Sequence, residues 1–218
     1  MSLNKSKNAK PNPGVWERII SELITGKQGL SVSGNPKITD SPYGKAVWFD
    51  GANDGFFLPD NPLKGLTGFT VEAMIRPDAD GPFEQRFLHI GETDSDRLLV
   101  ETRTNADQWY LDTFILSGES KNALIDPALM HPCGSWYHVV LTLDKTGQMT
   151  NYINGKKEIT GHVDFKPLNS GEMSIGARRN KVSWYKGAIY KIRITPGVLN
   201  PRDFMDLFCS PTRNRTWI

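Results

Sequence analysis

Along residues 136–143, Tyr137, Val139, Leu141 and Leu143 occupy one parity and Trp136, His138, Val140 and Thr142 the other. Successive side chains of a strand point to opposite faces, so this period of two predicts a strand with two different faces. Asp144 ends the run, Lys145-Thr146-Gly147 supplies a turn, and Tyr152 and Ile153 lie on the returning strand. Asn154-Gly155 then marks a hairpin, because both residues tolerate positive φ. The stretch as far as Thr160 reads as an antiparallel meander. Phe69, Val71, Ala73 and Ile75 repeat the alternation against Thr70, Glu72, Met74 and Arg76, and Pro77 closes that strand. Similar signals predict strands over 46–49, 56–58, 86–90, 97–102, 109–116, 172–176 and 187–194, with loops rich in Asp, Gly, Asn and Pro between them. Two stretches depart from this period. Trp16, Ile19, Ile20, Leu23 and Ile24 recur at helical spacing with Gly26 placed to stop them, which predicts an amphipathic helix over 15–28. Asn200-Pro201 is a helix start, and Phe204, Leu207 and Phe208 are spaced to dock that turn on the sheets.

Composition narrows the class. The 20 glycines and 14 prolines suit many turns, and 218 residues fit one undivided β-sandwich or barrel. The 26 basic and 24 acidic residues leave a net charge of +2, which gives no electrostatic case for nucleic acid or an anionic membrane. No apolar run approaches the roughly 18 residues of a membrane span, and the first ten residues are polar and lysine-rich, without an apolar signal core. Cys133 and Cys209 lack metal-ligand spacing. They either pair in one disulfide that ties down the C-terminus, as export would allow, or remain two thiols.

In chain order, Phe49-Asp50-Gly51 with Gly55-Phe56-Phe57-Leu58, then Phe69 to Pro77, Trp136 to Val140, Tyr152-Ile153-Asn154-Gly155, Ser174-Ile175-Gly176, and Tyr185 to Ile189 with Ile192-Arg193-Ile194 form an ordered set of landmarks. This set resembles laminin G-like domains of the concanavalin A-like lectin and glucanase superfamily. The resemblance implies an all-β jelly-roll sandwich of two curved antiparallel sheets over 29–208. A tail over 1–14 and the short N-terminal helix over 15–28 precede it, and a tail over 209–218 follows. In that superfamily the concave face or the rim loops commonly meet carbohydrate, and some relatives bind calcium or protein partners. The expected function is a non-catalytic carbohydrate-binding module for a polysaccharide or acidic glycan, secreted, periplasmic or displayed on a cell surface. Two alternatives stay open: a glycan-processing hydrolase or lyase with a charged concave cleft, and a protein-interaction or adhesion module. A fold does not choose among them.

The enzyme motifs of the superfamily are weak here. Glucanases resembling this fold carry paired carboxylates as Glu-x-Asp-x-Glu on a strand, whereas Glu92-Thr93-Asp94-Ser95-Asp96 follows Gly91, has no apolar residues between its acids and reads as a solvated loop. Lyase-like sandwiches are matched only faintly by Glu101-Thr102-Arg103, His89 and Trp184-Tyr185-Lys186-Gly187.

Charged residues on the strands give the first candidate site. Glu72 and Arg76 share a face, as do Glu101 and Arg103, and Asp112 lies between Tyr110 and Phe114. Charges facing a sheet are costly unless paired. These residues, with His138 and Arg178, are expected side by side on a concave sheet, lining a groove for sugar hydroxyls or carboxylates. The plainer alternative is a set of ion pairs on a solvated face. The segment Arg178-Arg179-Asn180-Lys181-Val182-Ser183-Trp184-Tyr185 is the densest cationic and aromatic stretch. It is expected to meet an acidic glycan by stacking and bidentate pairing, with Trp109 joining it. The alternative has Trp184 and Tyr185 capping the core. Asp50 to Asp54 and Asp78-Ala79-Asp80-Gly81 are the oxygen-rich candidates for calcium, although turn chemistry accounts for them as well. No other cofactor is expected.

Overall fold

The computed structural model describes residues 15–25 and 31–205. Helix α1 (Val15–Thr25) is followed by β1 (Ser31–Ser33), β2 (Lys37–Ser41), β3 (Gly44–Asp50), β4 (Gly55–Leu58), β5 (Phe69–Pro77), β6 (Glu84–Gly91), β7 (Arg97–Asn105) and β8 (Gln108–Ser117). Then come β9 (Ser120–Ile125), β10 (His131–Pro132), β11 (Tyr137–Leu143), β12 (Gln148–Ile153), β13 (Lys156–His162), β14 (Glu172–Ile175), β15 (Lys186–Pro196) and a 3₁₀ turn at Pro201–Asp203. The strands form two antiparallel sheets. One runs β1-β4-β14-β6-β7-β8-β10, with β9 also paired to β8, and the other runs β13-β12-β11-β5-β15-β3-β2. The last two strands are thus central: β14 fills the slot between β4 and β6, and β15 the slot between β5 and β3.

The core lies between the sheets and is built from the parities read in the sequence. Phe69, Val71, Ala73 and Ile75 of β5 and Tyr137, Val139, Leu141 and Leu143 of β11 face Phe56, Phe87, Leu98, Val100, Trp109, Leu111 and Met173 of the opposite sheet. Burying each large side chain contributes about 1.5–3 kcal/mol. Tyr185 sits at one end with its ring centroid 6.1 Å from Phe49 and 5.7 Å from Phe87. The Asn154-Gly155 turn joins β12 to β13 with φ of +51° and +77°, the geometry its sequence predicts.

Two bulges shape the sandwich. In β6 the register with β7 shifts between Arg86 and Leu88. Phe87 and Leu88 then both enter the core, while Arg86 and His89 turn to the other face. In β15 the shift falls between Ile189 and Lys191. The carbonyl of the extra residue, Tyr190, accepts a hydrogen bond from Trp16 Nε1. That bond and the burial of Trp16 and Ile19 dock α1 against β3 and β15. Strand β9 had no counterpart in the sequence reading, because Ser-Lys-Asn-Ala-Leu-Ile carries only one core residue, Leu124. At the other end, the 3₁₀ turn carries Phe204 onto β11 and β12, edge-on to His138 and Tyr152. Leu207, Phe208 and Cys209 lie outside the described residues. Cys133 is a half-buried free thiol, pushed up to about 11 by burial and by Asp107 and Asp78. Among the described residues no helix is long and apolar enough to cross a membrane.

Candidate functional site

The outward face of the eight-stranded sheet carries the polar cluster. Along β6, β7 and β8 the side chains pointing away from the core include Arg86, His89, Leu99, Glu101, Arg103, Tyr110 and Asp112. His89, Glu101, Asp112, Leu99 and Tyr110 are only 0%, 1%, 3%, 4% and 6% exposed.

Strand register assembles the charges. Glu84 stands opposite Arg103 and Arg86 opposite Glu101 across β6–β7, and Glu101 stands opposite Asp112 across β7–β8. Arg103 donates to Asp112 from Nε at 3.0 Å and from Nη2 at 2.7 Å, and to Glu84 Oε2 from Nη1 at 2.7 Å. Its Nη2 also lies 3.4 Å from Glu101 Oε2. Arg86 Nε lies 3.1 Å from Glu101 Oε1, and its guanidinium pairs with Glu84 as well. Three carboxylates therefore meet two guanidiniums. Burial foremost, then the nearness of Asp112 and Glu84 against the pull of Arg86 and Arg103, pushes the Glu101 carboxyl up to about 7. Burial likewise raises Asp112. Glu84 is half in water, and there the two arginines outweigh the cost of burial and hold it below the usual range.

Beside this cluster lies a cationic end. His89 is fully buried, accepts the Arg179 backbone N–H at Nδ1 and meets the Glu92 carbonyl through Nε2 at 2.9 Å. The ring is the neutral Nε2–H tautomer, held down to about 4 by burial and by Arg178, Arg97 and Arg179. Arg178 Nη2 donates to Thr93 O at 2.7 Å and to Asp94 at 3.2 Å, and Arg179 pairs with Glu172. The loop from Arg178 to Trp184 folds along β4. Lys181 Nζ sits 5.4 Å from the centroid of the Phe57 ring. The Trp184 indole rests on Gly55, where an added Cβ would lie 3.2 Å from Trp184 Cζ3. Ser183 accepts from both the backbone N–H of Arg86, at 2.9 Å, and its Nη1. Just before β6, Phe83 is 58% exposed, with the Arg103 guanidinium 5.8 Å from its ring centroid.

The face thus brings together Glu101, Arg103, Asp112, Arg178, Arg179 and Trp184, while Asn180 is exposed in the turn that follows Arg179. It does not include the other expected residues. Glu72, Arg76 and His138 lie on the outward face of the seven-stranded sheet, on β5 and β11. Glu72 there is fully buried, accepts from Arg193 and the Met205 backbone N–H, lies 3.2 Å from His138 Nε2, and is held low by His138 and Arg193 despite its burial. Arg76 pairs with Asp78 at 3.4 Å and lies over Trp136. Trp109 and Tyr185 point into the core with no exposure at all. Trp109 shares the parity of Leu111 and Ile115, which was the signal that it faces inward. Arg86, Glu84 and Phe83 went unnoticed, although Glu84-Gln85-Arg86 mirrors Glu101-Thr102-Arg103 in charge and spacing.

The calcium candidates are engaged in turns. Asp50 Oδ1 accepts the backbone N–H groups of Ala52, Asn53 and Asp54, and Asp54 accepts those of Asn35 and Asp50. Asp78 accepts from Trp48 Nε1, and Asp80 pairs with Lys186. Among the described residues no group of three or more His, Cys, Asp or Glu side chains is arranged to hold a metal ion. Glu92 to Asp96 form the loop between β6 and β7, closed by the Glu92 N–H on Asp96 O at 2.8 Å.

Two antiparallel sheets packed face to face, with the final strands inserted at their centres, define a jelly-roll sandwich. The family model of the concanavalin A-like lectin/glucanases superfamily, of laminin G type, matches residues 50–203. The chain belongs to that superfamily. It is similar in structure to domain 4 of AbnA, an extracellular arabinanase of Geobacillus stearothermophilus solved in complex with arabinotriose. That match has a TM-score of 0.61 at 22% identity, over 78% of this chain and 79% of that one. It is also similar to tailspike protein 2 of a bacteriophage of Escherichia coli O157:H7, with a TM-score of 0.60 at 18% identity, over 80% of this chain and 27% of that one. The binding domain of Paraclostridial Mosquitocidal Protein 1 matches with a TM-score of 0.59 at 16% identity, over 80% of this chain and 45% of that one. No protein of curated function matches the chain.

Proposed function

We propose that the protein is a non-catalytic carbohydrate-binding module that takes a polysaccharide on the outward face of its eight-stranded sheet, outside the cell or at its surface. The observation that carries this is the strip of side chains on that face. Hydrogen-bonding groups of Glu84, Arg86 and Arg103 have Phe83 on the side of β7 and Trp184 with Phe57 on the side of β4. Few fixed polar groups between aromatic rings are what sugar recognition uses, hydroxyls meeting the former and the apolar ring faces the latter. The arabinanase domain of similar fold carries arabinotriose, which supports the reading.

A second reading, a glycan-processing enzyme, rests on Glu101. A carboxyl held near neutral beside a second carboxylate has the acid–base character such enzymes need. The binding reading is preferred because Asp112, the directly opposed carboxylate, is held by the Arg103 fork.

The test is retention of the chain on insoluble neutral and acidic polysaccharides, with the glycan recovered and sized. Retention without shortening, lost in Trp184→Ala, is the expected result. Shortened glycan would replace the binding reading with the enzyme. Absence of both across the panel would overturn both readings and favour a protein partner.

A further inference from the structure

We infer that the glycan is uncharged, and that one of its rings is read by Phe83, Glu84 and Arg103 together. The inference rests on the carbohydrate-binding reading and adds the ligand's charge and the subsite.

The charge follows from how the arginines are engaged. An acidic sugar is normally held by a guanidinium fork offering two parallel N–H groups. On this face Arg103 donates to Asp112 and Glu84, Arg86 is taken by Glu84, Glu101 and Ser183, Arg178 by Thr93 and Asp94, and Arg179 by Glu172. Arg97 donates to the Ser95 carbonyl and lies over Phe114 at 5.1 Å. A uronate or sulfate would have to displace a carboxylate of the protein from Arg103, Arg86, Arg178 or Arg179, or the Ser95 carbonyl from Arg97. Glu101 Oε2 and Asp112 Oδ1 make no hydrogen bond.

The subsite follows from exposure. Glu101 and Asp112 lie too deep to touch a ligand, whereas Phe83 is 58% exposed and the Glu84 side chain 40%. Arg103 is in contact with both, its guanidinium over the Phe83 ring and its Nη1 on Glu84. A neutral sugar can stack its apolar face on Phe83 and donate hydroxyls to the spare lone pairs of Glu84, whose position Arg86 and Arg103 fix. Phe83 contributes almost nothing to the core, so its ring is free for this.

The experiment is calorimetric titration of the full chain with neutral oligosaccharides from arabinan, xylan and β-glucan and with oligogalacturonate, oligoalginate and sulfated heparin fragments, at low and at high salt. Expected is binding to at least one neutral series, little changed by salt, with anionic fragments weaker by about tenfold or more. Phe83→Ala, whose fold circular dichroism checks, is expected to weaken the neutral ligand by about tenfold. Tighter binding of an anionic series that fades with salt would overturn the charge assignment while leaving the carbohydrate reading intact. Neutral binding unchanged in Phe83→Ala would overturn the subsite. Binding to none of the series would remove the carbohydrate reading and this inference with it.

Discussion

Glu101 and Asp112 stand directly opposite each other across the β7–β8 pair, both almost fully buried. Burial foremost, with the repulsion of like charges so placed, keeps a proton on Glu101 up to about 7. A carboxyl whose folded value is raised binds its proton more tightly folded than unfolded. The stability it contributes is therefore full below the unfolded value of 4.5 and is lost as pH rises through about 7. Glu101→Gln fixes the neutral form. Relative to the wild type, it is expected to gain on the order of 2 to 3 kcal/mol between about pH 5 and about pH 8, read from urea unfolding at each pH. A difference that does not change with pH would count against the assignment.

Arg103 holds three carboxylates at once. Arg103→Ala strands Asp112 and Glu101 in the sheet face, so a loss of about 3–5 kcal/mol is expected. Arg103→Lys keeps the charge but not the fork that meets Asp112 through two nitrogens, and should recover only part of that loss. Equal stability of the two variants in denaturant would show that charge alone matters.

Glu72 fastens the end of the described chain to the seven-stranded sheet. Its Oε1 accepts the Met205 N–H at 2.6 Å, and Thr70 Oγ1 accepts the Leu199 N–H at 2.9 Å. Glu72→Gln keeps the shape and loses the ion pair with Arg193, at a cost of about 2–3 kcal/mol. Its carboxyl is held low in the fold, so the wild type's advantage is present above pH 4.5 and disappears as the solution is acidified through the folded value. Hydrogen exchange should show faster opening at 199–205 in the variant. Unchanged protection there would remove Glu72 from this role.

Gly187 lies in β15 at φ +142°, where an added Cβ would stand 2.3 Å from the Arg76 carbonyl. The clash is with backbone of the neighbouring strand and cannot be relieved by a rotamer. Gly187→Ala is expected to cost about 2 kcal/mol or more. A melting temperature equal to the wild type's would show that β15 can move aside.

The period of two was sufficient to find most strands and their inward faces, because it follows directly from strand geometry. It could not say which sheet a strand joins. Glu72 and Glu101 carry the same pattern on β5 and β7, yet pairing over long sequence distances sends them to opposite sides of the molecule. Glu84 and Arg86 escaped for a related reason: their importance lies in register with Arg103 and Glu101, a property of pairs of strands. Phe83 lacked any pattern, standing alone in a loop. Trp109 and Tyr185 were drawn toward the surface by chemistry attractive for sugars, when their parity already placed them inside.

Because β14 and β15 occupy the middle of their sheets, the order of synthesis matters. Until Glu172 and everything after it have left the ribosome, the edges of β4 and β6 in one sheet and of β3 and β5 in the other have no partners. The nascent chain is then a set of half-sheets with open edges, the form most prone to pairing with other chains. Closure comes in a late step, when β15 enters its slot and offers the Tyr190 carbonyl to Trp16, made near the beginning. Translation that stalls short of this point is expected to yield aggregate in place of a smaller folded domain.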